Sequence, residues 1–153
     1  MANVRKIISG GQTGADRAAL DFAIENDIPH SGWCPKGRIA EDGVIPEKYH
    51  LQECPQEDYI VRTEQNVIDS NGTVIASIKP ELSGGSKCTS EFAQRHGKPW
   101  IHIHKGSDEP AHALMRFIDT YEIRVLNVAG PRASEEPEIS KFVADVLETA
   151  LRG

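Results

Sequence analysis

The chain predicts an α/β domain with a mainly parallel sheet and helices on both faces, and three observations carry that expectation. Short apolar, β-branched runs alternate with helical segments along the chain. The clearest strand, Thr73-Val74-Ile75-Ala76-Ser77-Ile78, is a continuous run of the kind found where a strand is covered on both sides. Glycine-bearing loops follow Ser9, Ile78 and Ala129, each at the carboxyl end of a predicted strand. At 153 residues, without repeats or linkers, the expectation is one domain over 1–153.

The first strand is expected over Val4 to Ser9, followed by Gly10-Gly11-Gln12-Thr13-Gly14-Ala15-Asp16-Arg17. Its glycines let a ligand approach the backbone. Thr13 reads as an N-cap, with Asp16 placed to complete a capping box. A helix opening there presents unpaired N–H groups and a positive dipole end, an anion site to which Arg17 adds charge. The loop has neither a Gly-Lys-Ser/Thr ending nor G-x-G-x-x-G, so it points to an anion without naming the molecule. Ala15, Ala18, Ala19, Phe22 and Ala23 continue at helical spacing up to Asn26-Asp27.

A second strand is expected from Ile28 to Cys34. The turn-rich stretch Pro35 to Pro46 follows, in which Lys36 and Arg38 straddle Gly37, either as a functional loop or as a solvated one. A short strand is expected within His50 to Cys54. Helical spacing from Tyr59 carries Ile60, Thr63, Val67 and Ile68 to Asn71-Gly72. After the strand at 73–78 comes a second glycine loop, with a helix expected from about Ser86 to His96-Gly97, where glycine stops it. Pro99 to His104 is a strand whose His102 and His104 share a face, as a metal pair or as satisfied or partly exposed histidines. Asp108 reads as the cap of the next helix, with Pro110 in its first turn. Ile123 to Ala129 is the last strand, Gly130-Pro131-Arg132 the third loop, and Ile139 to Leu151 the last helix.

Composition narrows the function. A net charge of −6 argues against general nucleic-acid binding, which needs a basic face. No apolar run reaches membrane-spanning length and the start lacks a signal-peptide pattern. Cys34, Cys54 and Cys88 are odd in number and form no C-x-x-C, so a reducing cytoplasm is expected rather than a disulfide or zinc scaffold.

In a parallel sheet, ligands bind beyond the carboxyl ends of the strands. The three loops therefore converge, offering N–H groups and the cations Arg17, Lys36, Arg38, Lys87 and Arg132 to a phosphorylated ligand. The expected site lies between the Gly10–Gly14 and Gly84–Lys87 loops, with Ser86 and Thr89 on the second and Gly130 on the third. Glu91 is the candidate carboxylate. It reads as a general acid or base, as a partner for a ligand's hydrogen-bond donor, or as an acid offsetting the helix dipole. Cys88 reads either as an activated thiol at a helix start or as a small buried residue. No Ser-His-Asp, Cys-His or metal-ligand set is legible.

Gly10-Gly11-Gln12-Thr13-Gly14-Ala15-Asp16-Arg17-Ala18-Ala19-Leu20-Asp21 resembles the molybdenum-carrier, or circularly permuted YpsA-type, branch of the SLOG superfamily. Gly32-Trp33-Cys34-Pro35-Lys36-Gly37-Arg38 with Ala40-Glu41-Asp42-Gly43, Arg62-Thr63-Glu64-Gln65-Asn66-Val67 and Asn127-Val128-Ala129-Gly130-Pro131-Arg132 extend the resemblance over nearly the whole chain. It implies a Rossmann-like fold and a carrier of the molybdenum cofactor, a pterin bearing phosphate and a metal dithiolene, in proteins that commonly assemble as homo-oligomers. The wider superfamily holds nucleotide-binding members and phosphoribohydrolases with a Pro-Gly-Gly-x-Gly-Thr-x-x-Glu loop. Here the stretch is Ser83-Gly84-Gly85-Ser86-Lys87-Cys88-Thr89-Ser90-Glu91, so Lys87 and Cys88 replace that motif's later glycine and threonine. The alternative to a carrier is thus a nucleotide sensor, or an enzyme acting on nucleoside monophosphates with Arg62 as its second residue.

Overall fold

The computed structural model describes residues 3–152. Strands β1 (Lys6–Ile8), β2 (His30–Ser31), β7 (Gly72–Ser77), β8 (Trp100–His104) and β9 (Val125–Ala129) form one sheet in the order β2-β1-β9-β7-β8. Every neighbouring pair is parallel. The last strand therefore lies in the middle, with Ile7 opposite Leu126 and Thr73 opposite Asn127. If β9 is counted first, the order becomes 3-2-1-4-5, that of a doubly wound nucleotide-binding sheet, and the reversal of winding falls between β9 and β7.

Helices α1 (Ala15–Glu25), α4 (Pro110–Tyr121) and α5 (Ile139–Leu147) cover one face, and α2 (Tyr59–Asp69) and α3 (Gly84–Arg95) the other. The first face holds the main core. There the alanine stripe of α1 and Val143, Val146 and Leu147 of α5 pack on Ile7, Leu126 and Val128. Small side chains let α1 lie close to the sheet. The second face has a smaller core around Val67, Phe92 and Ala93, and its strands carry polar side chains. Thr73 and Asn127 bond each other at 3.3 Å, and the Ser9 hydroxyl donates to Val128 O at 2.7 Å. These buried groups surround the floor of the cleft described below.

Four expectations are corrected. The second strand does not run through Ile28–Cys34. It leaves the sheet at Gly32, where a Cβ would lie 1.9 Å from the Ser9 carbonyl oxygen, and resumes as β3 (Trp33–Cys34) against β6 (Gln52–Glu53). The turn-rich stretch contains an antiparallel hairpin, β4 (Ile39–Ala40) and β5 (Gly43–Val44). Thr13 does not cap α1: Gly14 holds the cap position, and Thr13 Oγ1 instead donates to Glu41 and accepts from Ala133 N. Asp108 does not cap α4 either; Glu109 stands there in a left-handed conformation and makes no side-chain cap. The last helix, α5 over Ile139–Leu147, continues directly into a wider π-helical turn over Glu148–Arg152, so the helical spacing to Leu151 holds.

Candidate functional site

At the carboxyl edge of the sheet, the loops after β1, β7 and β9 enclose a cleft of about 240 Å³. It straddles the winding reversal, the place where doubly wound sheets bind ligands. Ser77 comes from the end of β7 and Asn127 from the middle of β9, and Gly10, Gln12 and Asp16 from the first loop and α1. Tyr59, Arg62, Thr63 and Asn66 enter from α2, Gly84, Gly85, Ser86 and Thr89 from α3, and Gly130 and Arg132 from the last loop.

Arg62 is central to the site. Its side chain is only 14% exposed, and Nη1 reaches Asp16 Oδ2 at 3.2 Å. Nε is buried with no partner. A Cβ on residue 10 would lie 1.9 Å from Nη1, so Gly10 makes the room that the guanidinium occupies. Asp16 also accepts the Gln12 N–H at 3.2 Å. Burial pushes the Asp16 carboxyl above the ordinary carboxylate value, against the opposing pull of Arg62 and the Gln12 N–H. The pair brings a guanidinium to the cleft without fully satisfying it.

Opposite, α3 begins with Ser83 at the cap position, its hydroxyl making no capping bond. The first N–H groups of the helix thus lack a side-chain partner beside the cleft. Glu136, buried in the loop after β9, accepts Ile78 N at 2.6 Å and Lys79 N at 3.3 Å, and so holds the loop after β7. The Ser77 hydroxyl donates to Lys79 O at 2.6 Å. Its one proton is then used, so His102 Nε2, 2.6 Å away, is the donor in their contact. Burial first, then His104, lowers the His102 pKa, which keeps the ring neutral in that arrangement. His102 and His104 stand 5.7 Å apart by ring centroids, and among the described residues no group of three His, Cys, Asp or Glu could hold a metal.

Of the residues singled out from the sequence, Gly10, Gln12, Asp16, Arg62, Gly84, Gly85, Ser86, Thr89, Gly130 and Arg132 are brought together at the cleft. Gly11, Thr13, Gly14 and Arg17 lie outside its lining. Arg17 donates from Nη2 to Asp42 at 2.8 Å and from Nε to Gly11 O at 3.0 Å. Glu41 ties the loops together: it accepts from the Thr13 and Ser134 hydroxyls, and its N–H donates to Gln12 Oε1 at 2.9 Å. Those hydroxyls hold the Glu41 carboxyl below its ordinary value. Lys87 and Glu91 are exposed on α3 outside the lining. Burial and the nearby Glu91 push the Cys88 thiol up, the direction expected of an inert cysteine.

Lys36 is exposed on the excursion after β3, away from the cleft. Arg38 braces that excursion, donating to the carbonyl oxygens of Ile45 and Leu51 at 3.2 and 3.3 Å and to those of Pro46 and Tyr49 at 2.9 Å. Arg38→Ala is therefore expected to cost about 2 kcal/mol of stability, the scale of charge-assisted hydrogen bonds, and to leave affinity at the cleft unchanged. Thermal melts and a ligand titration of the same variant check both halves.

Tyr59, Asn66, Ser77, Lys79, Asn127 and Glu136 were not legible as site residues. A weak signal existed for two of them. Asn127 interrupts the apolar run Val125-Leu126-Asn127-Val128, and Ser77 ends the β-branched run of β7. A polar residue there needs a partner or a ligand.

The strand order, the switch-point cleft and the glycine loops define a doubly wound, Rossmann-like α/β protein. Residues 7–151 match the Circularly permutated YpsA SLOG family, and the chain belongs to it. The permutation is visible in the sheet, whose last strand takes the central place. A crystal structure described as "Putative molybdenum carrier protein" from Syntrophus aciditrophicus SB is 53% identical, with a TM-score of 0.93 over 98% of this chain and 96% of that one. No curated protein matches.

Proposed function

We propose that the chain is a non-catalytic carrier that holds a small phosphorylated, ring-bearing ligand in the switch-point cleft, a pterin phosphate of the molybdenum-cofactor type being the first choice. The observation that carries this reading is Arg62, buried beside the cleft with Nε unpartnered and only Asp16 on Nη1. A guanidinium in the same cleft as the uncapped start of α3 suits a phosphate. Tyr59 offers a ring at the rim, and the amides of Asn66 and Asn127 offer donors and acceptors for a heterocycle's edge.

The lining fits the organic part of such a ligand. It contains no cysteine: Cys34 and Cys54 are buried elsewhere, and Cys88 lies outside it. The metal end would therefore keep its own dithiolene sulfurs and take no thiolate from this chain. The molybdenum-carrier name of the similar structure agrees with this choice of ligand.

The competing reading, hydrolysis of a ribosyl bond, needs a carboxylate at the reacting carbon. Glu91 is exposed and outside the lining, and the enzymatic loop motif is altered at Lys87 and Cys88. Wild-type protein incubated with nucleoside monophosphates is expected to release no free base, and Glu91→Gln is expected to bind ligand like wild type. Glu91-dependent release of base at enzymatic rates would overturn the carrier reading.

A further inference from the structure

The excursion that leaves the sheet at Gly32 returns alongside its own departing strand. The Gln52 N–H donates to Gly32 O at 2.9 Å and the Cys54 N–H to Cys34 O at 2.8 Å. Two residues earlier the same spacing brings the His50 N–H to His30. There the acceptor is the ring nitrogen Nε2, at 3.1 Å, instead of a backbone carbonyl. The two rings stack, with centroids 5.2 Å apart and planes inclined by 23°. The rung of this ladder that meets β2 therefore rests on a side chain that titrates near neutral pH. An imidazole nitrogen accepts a hydrogen bond only while unprotonated, so the contact requires a neutral His30 with its proton on Nδ1. Next to this rung stands Leu51. A Cβ on Gly11 would lie 2.6 Å from Leu51 Cδ1 and 3.1 Å from Ile45 Cδ1, so both side chains rest on the backbone of the first glycine loop. Gly10 and Gln12, on either side of Gly11, line the cleft.

We propose that His30 is a pH-operated latch: neutral, it holds the returning excursion on β2 and Leu51 on Gly11; protonated, it releases the His50 N–H and loosens the first glycine loop. Protonation turns the acceptor into a donor aimed at another donor, and puts a charge on a ring stacked against a second histidine. The charged groups on the elements packed around the pair are Lys6 of β1, Asp21 of α1, and Arg38, Glu47 and Lys48 of the excursion. Lys48 meets Asp21 at 3.7 Å, and Arg38 is bound to four carbonyl oxygens. His50 is the group whose charge bears on His30. Burial first, then His50, lowers the His30 pKa from its ordinary value of 6.5. A histidine that titrates lower folded than unfolded supports the fold fully above its unfolded value, and that support is lost as pH falls through the folded value. The latch is thus shut at neutral pH and opens on acidification below 6.5. It depends on the ladder alone, whatever ligand the cleft holds.

NMR of the isotope-labelled, ligand-free protein tests it. At pH 7.5 the long-range proton–nitrogen spectrum should show the His30 proton on Nδ1 and none on Nε2. Between pH 7.5 and pH 5, hydrogen-exchange protection of the His50 and Gln52 amides, corrected for intrinsic rates, should fall at least tenfold relative to Val74 and Ile75 of β7. The Gly11 amide resonance should move with the same midpoint. His30→Gln offers an oxygen acceptor at similar reach that does not titrate, and should abolish the loss of protection and the Gly11 shift that accompanies it. His50→Gln keeps the backbone N–H and hence the latch, so its response should persist, with a higher midpoint because the second ring's charge is gone. A His30 proton on Nε2, protection that does not change with pH, or the same response in His30→Gln as in wild type would overturn the latch. The last result would assign the response to another acid, such as Asp16. Loss of protection at His50 and Gln52 with Gly11 unmoved would overturn the coupling to the glycine loop. If His30→Gln does not fold, the ring tautomer and His50→Gln decide the matter.

Discussion

Arg62→Ala should lose binding of a phosphorylated ligand and destabilise the fold by about 3–5 kcal/mol, because it leaves a buried carboxylate without its counter-charge. The effect has a pH signature. Burial already raises the Asp16 pKa above its ordinary value of 3.8, and Arg62 is the main group opposing that rise. Without Arg62 the folded-state value climbs further. A carboxyl that titrates higher folded than unfolded favours the fold most below its unfolded value, and that contribution is lost as pH rises through the folded value. The deficit of the variant relative to wild type should therefore be largest at neutral pH and shrink on acidification towards pH 4. Denaturant melts of both proteins between pH 4 and 8 measure it. A deficit independent of pH would mean that Asp16 is not the group left behind.

Gly32→Ala is expected to produce the largest loss of stability unconnected with the ligand. A Cβ there lies 1.9 Å from Ser9 O and 3.0 Å from Ser9 C, backbone atoms held in β1, and the residue has φ of +150°. Neither side can move without breaking the pairing of β1 with β2. The expected cost is about 3 kcal/mol or more, equivalent to a fall in Tm of about 10 °C for a chain of this size. Calorimetry would show it, and a change under 1 °C would mean that the chain leaves the sheet at another residue.

The local pattern of this chain carried its fold class and one edge of its site. Ile7-Ile8-Ser9 before a glycine loop and an alanine-striped helix can be read within a dozen residues, because an apolar run and helical periodicity are local properties. The central place of β9 is not local. It depends on Ile7 meeting Leu126 across more than a hundred residues, and no window of sequence displays that pairing. The same limit explains the cations. Arg17 and Arg38 look available in sequence, yet Asp42 and a set of backbone carbonyls engage them. Glu136, by contrast, sits in the polar run Ser134-Glu135-Glu136 and resembles a solvated acid until the fold buries it under Ile78 N.

The central claim, a carrier holding a phosphorylated ligand at the switch-point cleft, is tested most directly by native mass spectrometry of wild-type protein and of Gly85→Glu. A Cβ at residue 85 meets only Tyr59 Cε2, at 3.7 Å, so that variant should fold while placing a carboxylate at the start of α3, in the cleft that Arg62 also lines. The account predicts that wild type, isolated from cells that make the molybdenum cofactor, carries a bound mass of phosphorylated-pterin size. The same mass should be absent from Gly85→Glu. Equal retention of the ligand by the variant, or wild type that stays empty even after incubation with the cofactor, would contradict it.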